Sequence, residues 1–351
     1  VYGSEDISIL PQQGFPLISE SFNRSPLANG VVRYVGEPIA AILAKGLTQA
    51  ADATDLVSVD YEPLEVLVDP SAALDPGAPV LFPDEGSNRV LKFQTEANPE
   101  DMKGHDRIIR CRLINNRMAG VPIEASAIIA EPDGNSGLNI WCTTQSPHGV
   151  QAAVASALNI DSQLVRVRAP AVGGGFGAKA VVYPEFLVVA WLAFKMKKSV
   201  KWTETRSENL VNMAHGRDQI QDYELGVTNS GKFLWLRAQV TANAGAYPVL
   251  GAFLPALTMS MASGPYRIPV VDFSACSVAT NTTPTSAFRG AGRPEATAAL
   301  ERVIDLAAVE LEIDPAEIRR RNFLQPDEFP YRTPTGALMD TGEYEKSLDL
   351  A

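Results

Sequence analysis

Leu164-Val165-Arg166-Val167, then Gly173-Gly174-Gly175-Phe176-Gly177-Ala178-Lys179, then Tyr183-Pro184-Glu185-Phe186-Leu187-Val188-Val189 is the stretch on which the reading of this chain turns. A short strand runs into clustered glycines, and the strongly apolar segment from Tyr183 to Lys197 reads as a helix. Strand, glycine turn and helix in that order is a common way to hold an anion. Glycines accept φ > 0, and their backbone N–H groups can approach a ligand closely. The spacing fits neither GxGxxG nor a Walker A loop, because Gly177-Ala178-Lys179-Ala180 lacks the Ser or Thr that follows the lysine there. A tight turn without a ligand therefore stays open beside the anion cradle. Phe176 is the odd residue. An aromatic among turn glycines implies packing against a flat ligand or a core.

Outward from this stretch the elements alternate. Upstream, Ile108 to Ile114 reads as a strand, and 125–130 with 138–143 reads as a hairpin about Asp133-Gly134-Asn135-Ser136-Gly137. Pro147-His148-Gly149 opens a helix to Leu158, with Val150, Ala153, Val154 and Leu158 on one face. Downstream, Val200 to Thr203 is a strand, 218–241 a hairpin, and Val270 to Thr280 a further strand. Pro294 to Leu311 carries Ala296, Ala299, Leu300, Val303, Ile304 and Ala307 in helical phase, and Asp314-Pro315 starts one more helix with Asp314 as N-cap. In the first 80 residues, 1–30 reads as irregular. Val31 to Val35, Ile39 to Ala44 and Leu56 to Tyr61 read as strands, and Leu47 to Ala53 as a helix capped by Thr48. The Pro-, Gly- and Asn-rich stretch 81–104 reads as a linker.

Bulk properties narrow the function classes. A chain of 351 residues with 46% hydrophobic content supports more than one core. A net charge of -11 opposes a phosphate backbone, so no nucleic-acid partner is expected. No apolar run reaches the roughly 18 residues of a membrane span. Cys111, Cys142 and Cys276 are scattered, which favours a reducing compartment and hence the cytoplasm. The chain begins with Val1, not Met, so a removed export signal and the periplasm stay open. Three cysteines cannot make a four-cysteine iron–sulfur site within this chain, and His105, His148 and His215 lack ligand spacing, so no zinc site of the HExxH type is expected.

The glycine run followed by Tyr183-Pro184-Glu185 resembles the GGGFGxK segment of the molybdenum hydroxylase large subunits, the xanthine dehydrogenase, aldehyde oxidase and carbon monoxide dehydrogenase family. Thr143-Thr144-Gln145-Ser146-Pro147 is similar to a second family segment. Ala287-Phe288-Arg289-Gly290-Ala291-Gly292-Arg293 resembles a third, of the carbon monoxide dehydrogenase-like group. Tyr34-Val35-Gly36-Glu37-Pro38 with Val59-Asp60-Tyr61-Glu62-Pro63 resembles the small domain that precedes them in the family.

The resemblance implies an α+β fold. A small α/β hammerhead-like domain would occupy 1–80, N-terminally incomplete. The first half of a molybdopterin-binding domain would occupy 105–351, with its C-terminal half missing. The cofactor implied is molybdenum held through a pterin dithiolene, with no direct protein ligand to the metal, expected in the cytosine dinucleotide form. The cofactor-binding positions it implies are Gln145, Gly174, Gly175, Phe176, Gly177, Arg289 and Gly290, and the substrate-pocket positions are Ala180, Leu257 and Ala291. By resemblance, Gln145 hydrogen-bonds an oxygen ligand of molybdenum. A neutral amide can do so without bringing charge into a buried site, and backbone N–H groups can stabilise charge developing on oxygen. The implied reaction oxidises an aldehyde or N-heterocycle, with water as oxygen source and hydride transfer to the molybdenum centre. Partner subunits carrying 2Fe-2S clusters and FAD are implied, in a dimer of heterotrimers.

Three departures qualify this. The family's catalytic glutamate lies beyond Ala351, so the base is unknown here and the isolated chain is expected to be inactive. A non-catalytic cofactor-binding or assembly module is the alternative. Glu185 and Glu295 are expected to be structural, at helix starts where the dipole favours a carboxylate. Gly290 stands where carbon monoxide dehydrogenases place a copper-binding cysteine, which argues against that substrate. Ala180 and Leu257 stand where purine-oxidising members place a glutamate and an arginine. A purine's polar edge would go unpaired there, so an aldehyde or apolar N-heterocycle fits better. A nicotinamide enzyme ranks last, because no acidic residue stands about twenty positions past the glycines.

Overall fold

The computed structural model describes residues 1–12 and 15–351. Residues 13 and 14, in the stretch read as irregular, lie outside the described residues. In chain order the main elements are α1 (Leu47–Thr54), β1 (Arg89–Gln94), β2 (Arg107–Asn115), β3 (Ala127–Pro132), β4 (Leu138–Cys142), α2 (Pro147–Leu158), β5 (Val165–Arg168), α3 (Pro184–Met196), β6 (Val200–Thr203) and α4 (Arg206–Asn212). There follow β7 (Gln219–Val227), β8 (Phe233–Gly245), α5 (Leu254–Ser260), β9 (Val270–Ala279), α6 (Arg293–Leu311) and α7 (Pro315–Arg320). The fold is α+β.

Two sheets carry the architecture. A four-stranded sheet has the order β5-β4-β3-β6, with β4 and β5 parallel and the other neighbours antiparallel. Its core joins Ile128, Ala130, Leu138 and Ile140 of the sheet to Val150 and Val154 of α2 and to Phe186, Leu187 and Ala190 of α3. The apolar residues of α3 run all round the helix, and nine of its 13 residues are buried. Such a helix belongs in a core, and each Phe or Leu side chain it buries contributes about 1.5–3 kcal/mol. Phe186→Ala, at a fully packed position, would cost about 3–5 kcal/mol.

The five-stranded sheet has the order β1-β9-β8-β7-β2, and β8 with β9 is its parallel pair. Its alternating residues Tyr223, Leu225, Leu236, Ala238, Val271 and Phe273 pack under α6, through Ala299, Leu300, Val303, Ile304 and Ala307. Asp314 caps α7 by accepting from the N–H groups of Ala316 and Glu317, both at 2.9 Å. Among the described residues no helix is long and apolar enough to cross a membrane.

The first 80 residues differ from expectation. Segments 31–35, 39–44 and 56–61 form no ladder, and the bridge Tyr2↔Ala41 is isolated. Alternating apolar residues favour extended backbone, but a strand also needs a neighbour paired along its length, and beyond that single bridge these segments have none among the described residues. Val59, Tyr61, Leu64 and Val66 are accordingly exposed. The N-cap of α1 is Gly46, with no side-chain cap, and Thr48 lies inside the helix. Within 81–104, read as a linker, residues 89–94 form β1, paired antiparallel with β9. The neighbouring Pro and Gly hid this edge strand.

Candidate functional site

Parallel strands send their carboxyl ends to one edge, and ligands of α/β sheets gather beyond such ends. Here β4 runs out into Thr143-Thr144-Gln145, and its parallel neighbour β5 runs out into the glycine run. In the second sheet, β9 runs out into residues 280–292, which lead to α6. Hydrogen bonds join these three exits.

Gln145 is tied at two points. Its backbone N–H donates to the Lys179 carbonyl at 2.9 Å. Its Oε1 accepts the Gly177 N–H at 2.9 Å, which fixes the orientation of the amide. The Nε2 end makes no hydrogen bond among the described residues. The fit is tight, because a Cβ on Gly175 would lie 2.4 Å from Gln145 Oε1.

The run uses its glycines for conformation and approach. Gly174 and Gly177 have φ of +101° and +97°, and Phe176 joins them at +54°. A Cβ on Gly177 would stand 2.4 Å from the Ala287 carbonyl oxygen. The Phe176 carbonyl accepts the Arg289 N–H at 2.8 Å. The N–H groups of Gly175, Phe176 and Gly290 find no partner among the described residues. Phe176 itself is 41% exposed, so it serves no core.

Glu124 binds the run at both ends, and nothing in the sequence singled it out. Its Oε2 accepts the Gly173 N–H at 2.7 Å and faces Lys179 Nζ at 3.1 Å. Lys179 is buried, and its Nζ also donates to the Glu124 carbonyl at 2.9 Å. Partial burial would raise the Glu124 carboxyl. The Gly173 N–H and the Lys179 ammonium outweigh it and hold the carboxyl below its ordinary value.

On the other side, Arg289 is exposed and its guanidinium has no ion-pair partner among the described residues. Gly290 has φ +99°, and a Cβ there would meet Pro294 Cγ at 2.5 Å. Phe288 fills a slot against Gly216, where a Cβ would lie 2.2 Å from Phe288 Cβ. Behind it, Arg217 donates to the carbonyls of Phe288 and Arg289 and to Glu295 Oε1. Gly216 and Arg217 also escaped the sequence reading, since a lone Gly-Arg pair carries no motif.

The substrate-pocket positions separate. Ala180 lines a cavity with Ser146, Gly149, Leu187, Val249 and Leu250. Leu257 and Ala291 do not line it. A Cβ on Gly292 would meet Leu257 Cβ at 2.5 Å, so Leu257 packs against Gly292 at the start of α6. Glu295 is fully buried against Arg217 at 3.1 Å. Glu185 is hydrogen-bonded to Asn212, and burial pushes its carboxyl up, although Arg24 nearby opposes the shift. Both have structural partners.

Known proteins bear on this geometry. A family model described as "Molybdopterin cofactor-binding domain" matches residues 81–323, and "Aldehyde oxidase and xanthine dehydrogenase, a/b hammerhead domain" matches residues 1–65. The chain is 37% identical over 316 residues to the 6-hydroxypseudooxynicotine dehydrogenase complex subunit gamma of Paenarthrobacter nicotinovorans, covering 89% of this chain and 39% of that protein. It is 33% identical to the carbon monoxide dehydrogenase large chain of Afipia carboxidovorans, covering 93% of this chain and 43% of the relative. The crystal structure of quinoline 2-oxidoreductase from Pseudomonas putida 86 superposes with a TM-score of 0.91 at 30% identity, over 99% of this chain and 46% of that one. The chain thus spans less than half the length of these relatives. Two matched domains in sequence order, with this level of identity, lead to one conclusion: the chain belongs to the molybdenum hydroxylase large-subunit family of aldehyde oxidases, xanthine dehydrogenases and carbon monoxide dehydrogenase large chains.

Proposed function

We propose that this chain forms the cofactor-holding part of an aerobic molybdenum hydroxylase that oxidises an aldehyde or an N-heterocycle with water as the oxygen source. The observation that carries this reading is the Gln145 amide, whose oxygen is engaged by Gly177 and whose NH2 end is left over. It borders a run with two more unused donors, the N–H groups of Gly175 and Phe176, and the adjoining turn adds the Gly290 N–H. Such a donor set fits a group rich in oxo and phosphate oxygens. Gly174 and Gly177 supply the left-handed φ of the run, and Phe176 and Ala287 already stand where a Cβ would be, so only glycine fits at either position.

When bound, the molybdenum–pterin group supplies the two-electron redox chemistry of hydroxylation. Gln145 Nε2, left over by the bond from Gly177, would donate to an oxygen of that group without adding charge. Gly175 and Phe176 present the backbone donors of the run, and Phe176 offers an exposed ring to a flat surface. Arg289 and Gly290 close the opposite side with a free guanidinium and a free N–H.

The substrate class follows from what is missing. Ala180 faces a cavity whose lining is largely aliphatic, including Leu10, Pro16, Ala153, Leu187 and Leu250. Leu257 and Ala291 add no polar group. A purine's polar edge would be unpaired there, whereas an aldehyde or apolar N-heterocycle loses nothing. Gly290 in place of a cysteine argues against carbon monoxide.

The cytosine dinucleotide form of the pterin belongs to the same reading. So do partner subunits carrying 2Fe-2S clusters and FAD, a dimer of heterotrimers, a cytoplasmic location, and a division into domains at 1–80 and 105–351. Relatives named as a complex subunit and as a large chain support a multisubunit assembly. The non-catalytic alternative is not favoured, because those relatives are oxidoreductases by name. A redox-dye screen of the intact complex against aldehydes, N-heterocycles, purines and carbon monoxide tests the reading. Turnover of the first two classes is expected, and turnover restricted to purines or carbon monoxide would refute it.

A further inference from the structure

We propose that Arg217 is the positioning residue of the turn Phe288-Arg289-Gly290-Ala291. It fixes the direction of the peptide N–H groups that this turn offers the cofactor, and the proposal rests on the function proposed above for the site. Arg217 lies between α4 and β7. Its Nη1 donates to the Phe288 carbonyl and to Glu295 Oε1, both at 3.1 Å, and its Nη2 donates to the Arg289 carbonyl at 2.9 Å. Its guanidinium carbon stands 4.9 Å from the centroid of the Phe288 ring. One planar fork thus grips two successive carbonyls and a ring, which a lysine ammonium cannot reproduce.

Peptide geometry carries the consequence. In a trans peptide the C=O and the N–H point in opposite directions. Holding the Phe288 carbonyl on Arg217 turns the Arg289 N–H away, where it meets the Phe176 carbonyl at 2.8 Å. Holding the Arg289 carbonyl on Arg217 turns the Gly290 N–H away in the same manner, and that N–H has no partner among the described residues. A single side chain therefore sets both the seam between turn and glycine run and the aim of a free donor.

The surroundings are costly, which argues against an incidental contact. Arg217 and Glu295 form a buried ion pair, with side-chain exposures of 9% and 0%. Buried pairs seldom add stability over an apolar replacement, so a positional role accounts for this one better. Arg217 and Asp218 have φ of +64° and +66°, while Phe176 and Ala291 have +54° and +39°. Four non-glycine residues in the left-handed region thus meet in one hydrogen-bonded neighbourhood, and such strain collects at functional sites. Asp218 is pinned by Arg117 at 2.7 Å, and Arg117 also donates to Thr282 Oγ1 at 2.7 Å, so the strained pair is braced from behind.

The experiment is Arg217→Lys in the intact complex, read by amide hydrogen exchange across 286–292 with and without cofactor, and by kcat and KM. Exchange at Arg289 and Ala291, whose N–H groups are bonded to the carbonyls of Phe176 and Phe288, is expected to quicken about tenfold or more while β7 and β8 keep their protection. kcat is expected to fall about tenfold or more, with KM changed less than about twofold. Unchanged exchange in the turn would overturn the proposal. So would faster exchange spread evenly through β7 and α6, the mark of a merely structural role. If Arg217→Lys fails to assemble, Glu295→Gln removes the charge partner and keeps the shape. Faster exchange confined to the turn then supports the clamp, and unchanged or evenly spread exchange overturns it. A parent complex lacking molybdenum would refute the function reading, whereas the exchange measurement needs no cofactor and tests the clamp separately.

Discussion

Gln145 and Gly177 are joined by a 2.9 Å hydrogen bond from the backbone N–H of Gly177 to the side-chain oxygen of Gln145. That bond decides which end of the amide is spare. Gln145→Ala removes the spare donor and leaves the Gly177 N–H unbonded. Gln145→Glu keeps the acceptor but replaces the donor by a charge. Steady-state kinetics on the intact complex are expected to show kcat lowered by about 100-fold for either variant, the scale of losing one preorganised donor. A kcat within about twofold of the parent would remove Gln145 from the mechanism.

Gly177→Ala is expected to be far more damaging than Gly134→Ala. Both glycines have positive φ, +97° and +84°, so each alanine carries a backbone cost of about 1–2 kcal/mol. Around Gly134 nothing lies within 4 Å, whereas at Gly177 the Ala287 carbonyl would be 2.4 Å from the new Cβ. Relief of that clash costs about 1–3 kcal/mol more and pushes the two walls apart. Denaturant titration of both variants checks the difference, and equal costs would show that the seam is not tight.

Much of the fold was legible, for identifiable reasons. The phase of Ala296, Ala299, Leu300, Val303, Ile304 and Ala307 marks a helix because one stripe must be buried, and all six are buried in α6. The turn Asp133 to Gly137 marks the β3–β4 hairpin through residues suited to tight turns. The segments at 31–35, 39–44 and 56–61 misled because alternation reports an extended backbone and says nothing about its partner. The site divides in the same way. Gln145, the glycine run and the turn at Arg289 stand in recognisable motifs. Glu124 and Arg217 act on them from 49 and about 71 positions away, and no local pattern announces a contact at that range. α4 could have been found, because Thr205 and Glu208 form a capping box.

The pair of Glu124 and buried Lys179 gives a pH signature. The Glu124 carboxyl lies below its ordinary value in the fold, so its contribution is fully present above the unfolded-state value, about 4.3. As pH falls the unfolded chain takes up the proton first, and the contribution is lost through the lowered folded value. Glu124→Gln is therefore expected to be less stable than the parent near neutral pH, by about 1 kcal/mol after screening of this half-exposed carboxylate. The gap should close below about pH 4. Thermal melts across pH read this directly, and a gap that persists in acid would discount the pair.

Ala180→Glu probes the proposed substrate pocket without removing the free N–H groups of Gly175, Phe176 and Gly290. A carboxylate introduced into the aliphatic lining lowers kcat/KM for an apolar N-heterocycle by about tenfold or more, because its desolvation is uncompensated. Molybdenum content should stay at the parent level. A variant that loses molybdenum instead would move Ala180 from the substrate pocket to the cofactor wall.

We propose that Gln145, Gly174 to Gly177 and the turn at Arg289 build one molybdenum-cofactor wall. Elemental analysis of the intact, active complex tests it most directly, set beside the same measurement on Gly177→Ala. Molybdenum stoichiometric with the chain in the parent, and a clear deficit in the variant, is the predicted result. An intact and active complex without molybdenum would rule this wall out.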